Sequence, residues 1–293
     1  MPLRIVQSPQ NARLKELRRA LAAPPRPGSG QPIGPSCLVG IEGPNLLAEA
    51  LRAGLRIDCV FAAQRSESLL DALALPPQTE ILLLPRRLLD QALTTESPQP
   101  IAALVEPPAW SWSALLGGSA SPLLLLLAGL QGPGNLGAIL RSAEAFGVSG
   151  VVSLPGTVSP WNPKALRASA GSAFRVPLLA ASADDCFPRL RSAGVRIFAA
   201  TARDGQSAPL ADLAGPTALL LGNEGNGLPP ELAAQADAAL TIPCPGPVES
   251  LNAAVATAIL LYEASRQRLA PQPTQKSPAC AATSRSKNSR SAR

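Results

Sequence analysis

The sequence predicts an α/β protein in two parts: a smaller N-terminal unit and a larger C-terminal one built on a parallel sheet. Three observations predict it. Apolar runs at 123–127, 150–154, 195–200 and 217–222 have the length and aliphatic make-up of strands covered on both faces, and helical patterns fall between them. Residues 1–106 show the same alternation on a smaller scale, which calls for crossover helices and a mostly parallel sheet. Between the two, residues 107–122 read P-P-A-W-S-W-S-A-L-L-G-G-S-A-S-P, the Gly/Ser/Pro composition of a linker.

Composition narrows the chemistry. The 293 residues are 46% hydrophobic but only 3% aromatic, so the core must be aliphatic. There is no histidine, which removes histidine metal sites, Ser-His-Asp triads and imidazole acid–base catalysis together. Cys37, Cys59, Cys186, Cys244 and Cys280 are scattered with no C-x-x-C pair, so neither a zinc site nor a disulfide framework is expected, and no metal. A reducing cytoplasm fits that usage. The longest apolar run, 123–130, is far short of the ~20 residues that cross a bilayer, and the N-terminus has arginines without an apolar signal segment. Of the net charge of +6, Lys276, Arg285, Lys287, Arg290 and Arg293 supply five, all within 270–293. That segment reads as a disordered basic tail, either merely solubilising or adding nonspecific affinity for nucleic-acid phosphates.

In the first unit, 9–21 is a basic amphipathic helix carrying Arg13, Lys15, Arg18 and Arg19, and a Pro/Gly-rich break follows at 24–35. Strands are expected at 37–41, 57–61, 80–84 and 101–105. Helices are expected at 46–52, near Leu69 and at 86–93. The four cations are candidates for phosphate contact, or simply a solvated helix face. Trp110 and Trp112 in the linker either stack on bases or dock on their own domain.

The second unit opens with the strand at 123–127 and runs into Q-G-P-G-N-L-G-A-I-L-R-S-A-E-A-F-G. Asn135 is placed to cap a helix whose core face is Leu136, Ile139, Leu140, Ala143 and Phe146, and Arg141 falls off that face. The segment N-P-K-A-L-R-A-S-A-G-S-A-F then sets Lys164, Arg167 and Ser169 at the start of a helix, where they either hold a phosphate or simply form a basic helix face. A helix at 184–193 and a turn at Asp204-Gly205 keep the rhythm. After 217–222 comes G-N-E-G-N-G-L-P-P-E-L, whose glycines let backbone amides approach a ligand, although no G-K-[ST] follows to make a P-loop. The chain then reads T-I-P-C-P-G-P-V-E-S-L-N-A-A-V-A-T-A-I-L-L-Y-E. A short strand ends at Ile242, a proline-rich loop follows, and Ser250 stands as the cap of a helix. Its buried face is expected to hold Leu251, Ala254, Val255, Ala258, Ile259 and Tyr262. Ser250 and Asn252 thus sit at a helix mouth, a place to receive a ligand.

These three strings, in this order, resemble the signature motifs of the SpoU (TrmH) family of RNA ribose 2′-O-methyltransferases within the SPOUT group. The first matches N-x-G-x-x-x-R-x-A-x-x-F-G at every fixed position, the second L-x-x-G-x-E-x-x-G-L, the third I-P-M-x-G-x-x-x-S-L-N with Cys244 in place of methionine. Gly132 stands where many members carry aspartate. The opening I-V-Q-S-P-Q-N-A-R-L-K-E-L and E-G-P-N-L-L-A-E-A-L-R-A-G resemble the N-terminal substrate-binding domain of many members. The resemblance implies domains at 1–106 and 123–269, a trefoil knot in the second, a homodimer, and methyl transfer from S-adenosyl-L-methionine to RNA, ribosomal RNA before transfer RNA. It implies cofactor contacts from Gly222, Ile242 and Leu251, and a catalytic group of Arg141, Asn135, Glu224, Ser250 and Asn252. Two other readings stand beside it: attack on a pyrimidine base by Cys244, and a non-catalytic RNA-binding or assembly factor that keeps the fold.

Overall fold

The computed structural model describes residues 2–25 and 37–269. The basic tail expected over 270–293 and most of the break expected over 24–35 lie outside the described residues. The N-terminal part contains β1 (Leu3–Ile5), α1 (Ala12–Ala22), β2 (Val39–Glu42), α2 (Pro44–Arg52), β3 (Ile57–Ala63), α3 (Glu67–Asp71), β4 (Glu80–Leu84), α4 (Arg86–Asp90) and β5 (Ile101–Val105). Its sheet runs β1-β4-β3-β5-β2. The expectation of a mostly parallel sheet is corrected here. β4 pairs parallel with β1 and β3, but β5 enters antiparallel between β3 and β2. A buried aliphatic strand has the same composition whichever way it runs, so direction is not written in the run itself.

Residues 107–122 are not a free linker. They hold α5 (Trp112–Leu116), and Leu115 is fully buried against the next sheet, where a Cβ on Gly150 would stand 2.2 Å from it. Trp112 packs on the same cluster with the Arg189 guanidinium 5.6 Å over its ring, so it docks on its own protein.

The second sheet is all parallel, in the order β10-β12-β9-β11-β6-β7-β8. Its elements are β6 (Leu123–Leu127), α6 (Pro133–Ala145), β7 (Gly150–Ser153), α7 (Pro163–Ser169), β8 (Leu178–Ala180), α8 (Ala183–Ser192), β9 (Arg196–Thr201), β10 (Gln206–Ser207), β11 (Thr217–Leu221), α9 (Pro230–Ala233), β12 (Ala238–Thr241) and α10 (Ala253–Leu269). The five leucines of β6 and all of β11 are buried, as a strand covered by helices on both faces requires.

Three helix expectations change. Asn135 is not a cap: α6 starts at Pro133 behind Gly132, leaving Asn135 in the first turn with its amide turned outward to other segments. Nor does Ser250 cap the last helix, which begins at Ala253. The Asn252 Oδ1 accepts from the backbone of Ala254 and Val255 and fills that role. The buried face of α10 is also rotated from the expected one. Thr257, Leu260, Leu261 and Ala264 face the core, while Val255, Ile259 and Tyr262 stay exposed. The helix is apolar nearly all round, so periodicity could not choose between its faces.

α6 and α7 touch at backbone distance. A Cβ on Gly137 would lie 2.4 Å from the Ala168 Cβ and 2.5 Å from the Ala165 carbonyl oxygen. Alanine is a better helix former than glycine by about 1 kcal/mol, but forcing a methyl into a packed contact costs about 1–3 kcal/mol. Because one obstructing atom is backbone, packing wins. Gly137→Ala therefore lowers the thermal midpoint; an unchanged or higher midpoint would mean that α6 and α7 are not held this close.

Candidate active site

The carboxyl ends of β9, β11 and β12 open into one cavity of about 620 Å³. Its walls are three loops: 200–203, 221–227 and 240–251. Ligands of open parallel sheets bind at this end of the strands, and cavities of ~300–1,000 Å³ hold small organic cofactors. Each wall is fixed by hydrogen bonds local to it. The Asn223 Oδ1 accepts from the amides of Gly225 and Asn226, its Nδ2 donates to the Gly129 carbonyl, and Asn223 and Gly227 exchange backbone bonds. A Cβ on Gly222 would lie 2.3 Å from the Gly227 carbonyl carbon, so only glycine lets this loop close on itself. The Thr241 hydroxyl accepts from the Gly205 amide and lies 3.2 Å from that of Thr201, tying the first wall to the third.

Of the residues predicted for the site, Gly222, Glu224, Ile242, Ser250 and Leu251 line this cavity. Asn135 and Asn252 join it through hydrogen bonds. The Asn252 Nδ2 donates to the Asn135 Oδ1 at 3.1 Å, and the Asn135 Nδ2 donates to the Glu224 Oε1 at 3.0 Å. The direction of this chain is forced: the Asn252 oxygen is already taken by the amides of α10, so its nitrogen must face Asn135. At the far end the Glu224 carboxylate also accepts from the amides of Gln131 and Gly132, at the N-terminus of α6 where negative charge is favoured.

Partial burial of Glu224 works against ionisation, yet the donors from Asn135 and the backbone outweigh it and hold the carboxyl below its ordinary range. Glycine at 132 belongs to the same arrangement. A Cβ there would stand 2.6 Å from the Glu224 Oε1, so any larger residue would push the carboxylate away from this seat.

Arg141 stands apart. It is exposed on α6, outside the cavity wall, and makes no hydrogen bond or ion pair among the described residues. Lys164 and Arg167 are exposed on α7, the helix packed along α6. Ser169, expected beside them as a phosphate ligand, is instead fully buried and donates to the Leu166 carbonyl. On α1, Lys15 and Arg19 are exposed and Arg18 is half-buried, whereas Arg13 is engaged by the carboxylates of Glu16, Asp58 and Glu80. Asn223, Thr241 and the cavity-lining Arg203 were not anticipated. Asn223 and Thr241 act on the backbone of their own or neighbouring loops, a role that only the closed loop reveals.

A cavity walled by loop backbone and mixed aliphatic and polar side chains, at the carboxyl edge of a parallel sheet, is placed where α/β proteins bind small-molecule ligands. Residues 122–262 match the SpoU rRNA Methylase family, and residues 41–111 match the RNA 2′-O ribose methyltransferase substrate binding family. The chain is 31% identical over 222 residues to the 23S rRNA (guanosine(2553)-2′-O)-methyltransferase RlmP of Bacillus subtilis, covering 76% of this chain and 86% of that one. It is 41% identical over 148 residues to the 23S rRNA (guanosine-2′-O-)-methyltransferase RlmB of Xanthomonas campestris, covering 50% of this chain and 59% of that one. The SpoU methyltransferase AviRb of Streptomyces viridochromogenes, solved with the cofactor AdoMet, superimposes with a TM-score of 0.75 at 27% identity, over 89% of this chain and 99% of that one. This chain belongs to the SpoU methylase family.

The Glu224 seat yields a pH test. A carboxyl whose folded pKa is depressed contributes stability above its unfolded pKa and loses it as pH falls through the folded one. Wild type is therefore more stable than Glu224→Gln at neutral pH, and the gap closes on acidification below the ordinary carboxylate range. Thermal melts across that range check this; a gap that stays constant would mean the charge is not what the seat holds.

Proposed function

We propose that the protein transfers the methyl group of S-adenosyl-L-methionine to a ribose 2′-hydroxyl of RNA, with ribosomal RNA the favoured target. The observation that carries this reading is a cavity walled by the second and third motif segments and tied to the first by the chain Asn252–Asn135–Glu224. The residues present fit the cofactor. Leu221, Ile242, Val248, Leu251 and Leu260 offer aliphatic surface to an adenine, loop backbone offers donors and acceptors, and Glu224 and Glu249 suit the positive end of the molecule. Bound there, the cofactor supplies an electrophilic methyl group on a sulfonium.

The chain's own residues then have to position the ribose. Transfer to an alcohol is an in-line displacement, in which the new C–O bond forms as the C–S bond breaks, the thioether leaves and the hydroxyl proton passes to solvent, so holding the hydroxyl in line with the methyl carbon would supply much of the rate. Arg141 is the residue assigned to the hydroxyl side. Its guanidinium does not deprotonate in proteins, so it acts by orienting a phosphate and stabilising the developing alkoxide, not as a base. Asn252 starts α10 and bonds Asn135 on the helix that carries Arg141, and Ser250 completes the group from the cavity wall. Lys164, Arg167, Lys15, Arg18 and Arg19 contact phosphates along the RNA, with Arg13 contributing chiefly to the fold of α1. Residues 1–106 form the RNA-binding domain, joined through 107–122 to the methyltransferase domain at 123–269.

The reading includes a homodimer and a trefoil knot formed by the C-terminal segment. The dimer is supported by the outer face of α10, where Val255, Ile259 and Tyr262 are 49%, 38% and 57% exposed at helical spacing. The Tyr262 ring meets Phe146 edge-on at 6.1 Å, extending that apolar stripe toward α6. A second copy covering it would bring new residues beside Arg141, which has no partner in its own chain among the described residues. With an RNA substrate and free thiols at Cys37, Cys59, Cys186 and Cys244, the compartment is the cytoplasm.

The test is label transfer from methyl-tritiated S-adenosyl-L-methionine to ribosomal and transfer RNA from a host lacking this gene, followed by nucleoside analysis. A 2′-O-methylated ribose in ribosomal RNA is expected; label on a base would overturn the ribose reading. Arg141→Ala lowers turnover by at least about 100-fold while cofactor affinity stays within about twofold, because Arg141 lies outside the cofactor cavity. Surviving turnover would remove Arg141 from the mechanism.

A further inference from the structure

Away from the cavity, Arg175 joins the two halves of the molecule. It follows the 3-10 turn Ser172–Phe174 and reaches two carboxylates on different elements. Its Nε and Nη2 donate to the two oxygens of Glu144 on α6, the latter at 3.1 Å, a bidentate pair. Its Nη1 donates to the Glu49 Oε2 at 2.6 Å, on α2 of the N-terminal sheet. The hydrogen bond from Arg175 holds the Glu144 carboxyl below its ordinary range, against the opposing effect of partial burial. Side-chain exposures of 33% for Arg175, 23% for Glu49 and 35% for Glu144 put the cluster at the edge of the packed region rather than in open solvent.

The contact beneath it is close. Gly171 has φ +88°, and a Cβ there would lie 2.6 Å from the Glu49 Cβ, so the loop of one half meets a side chain of the other with no spare room. Ser159 adds a hydrogen bond to the Pro25 carbonyl, and one apolar cluster runs from Val39 and Ile41 through Trp161 and Phe174 into α6. Glu144 also sits one turn beyond Arg141 on the helix that carries Asn135 near its start. Fixing Glu144 to α2 therefore fixes the rotation and advance of α6 relative to the N-terminal sheet.

We propose that Arg175 is a positioning residue: by clamping Glu49 to Glu144 it registers the N-terminal unit against α6, so that RNA held by one is presented in line with Asn135 and Arg141 on the other. This rests on the RNA methyltransferase reading above. It concerns the geometry of substrate presentation and leaves the cofactor cavity untouched, since none of the three residues lines it.

The experiment compares wild type with Arg175→Ala and Glu49→Gln in the full chain, using in vitro transcribed 23S rRNA and S-adenosyl-L-methionine. Both variants should raise the apparent KM for the RNA on the order of tenfold, with cofactor affinity by calorimetry unchanged, because only the fraction of molecules in register binds the RNA productively and the cofactor site is separate. Arg175→Ala combined with Glu49→Gln should be no worse than Arg175→Ala alone, as for two halves of one interaction. If Arg175→Ala fails to fold, Glu49→Gln carries the test, with Arg52→Ala, which removes the other partner of Glu49 on α2 and leaves the link between the halves in place, as its control. An unchanged KM, or a loss of cofactor affinity in step with it, would overturn the proposal. Should wild type itself methylate no RNA, the functional reading fails, and small-angle scattering then reads the clamp directly. A broadened distance distribution in Glu49→Gln supports it, and a curve identical to wild type overturns it.

Discussion

Asn252 donates to Asn135 and Asn135 donates to Glu224, and these two hydrogen bonds join segments 117 and 89 residues apart in sequence. They tie the loop after β11 and the start of α10 to the first turn of α6. The Asn252 oxygen starts α10, the Glu224 carboxylate finishes the N-terminus of α6, and Asn135 between them faces both ways. An amide can accept and donate at once, whereas a carboxylate can only accept, so asparagine at 135 and 252 and glutamate at 224 are the residue types the chain of bonds requires. The constraint also explains Gly132: the space that a side chain would fill is occupied by the carboxylate.

The site is an assembly of loops on a rigid support. The strands supply aliphatic burial and parallel register, and their carboxyl ends deliver three loops to one cavity. Within the loops, Asn223 and Thr241 satisfy backbone amides that would otherwise be unpaired, so the walls keep their shape without a ligand to organise them. Binding then costs less ordering. Arg141, Lys164 and Arg167 lie on α6 and α7 outside the cavity wall, while Arg203 lines it.

Much of this was legible in the sequence where local pattern decides structure. The unbroken leucines of β6 and the apolar run of β11 read correctly as buried strands, and the glycines around Glu224 marked a loop. What could not be read depends on partners distant in the chain. Asn135 and Ser250 looked like caps because a polar residue before an apolar periodic run has that appearance. The helices start elsewhere because Glu224 and Asn252 serve those termini instead. The face of α10 was misread because the helix is apolar on both sides, and the antiparallel entry of β5 because strand direction leaves no mark on composition. Arg13 read as a phosphate ligand until Asp58 and Glu80, from two other strands, were found beside it.

The most direct measurement is a double-mutant cycle at the centre of the site. Cofactor affinity would be determined by calorimetry for Asn135→Ala, Asn252→Ala and the double variant. If the two amides act as one hydrogen-bonded unit, each single variant weakens binding and the double is little worse than either, with a coupling of about 0.5–3 kcal/mol. Fully additive losses would contradict the account: Asn135 and Asn252 would then act separately, and the convergence of the three segments would not be what shapes the site.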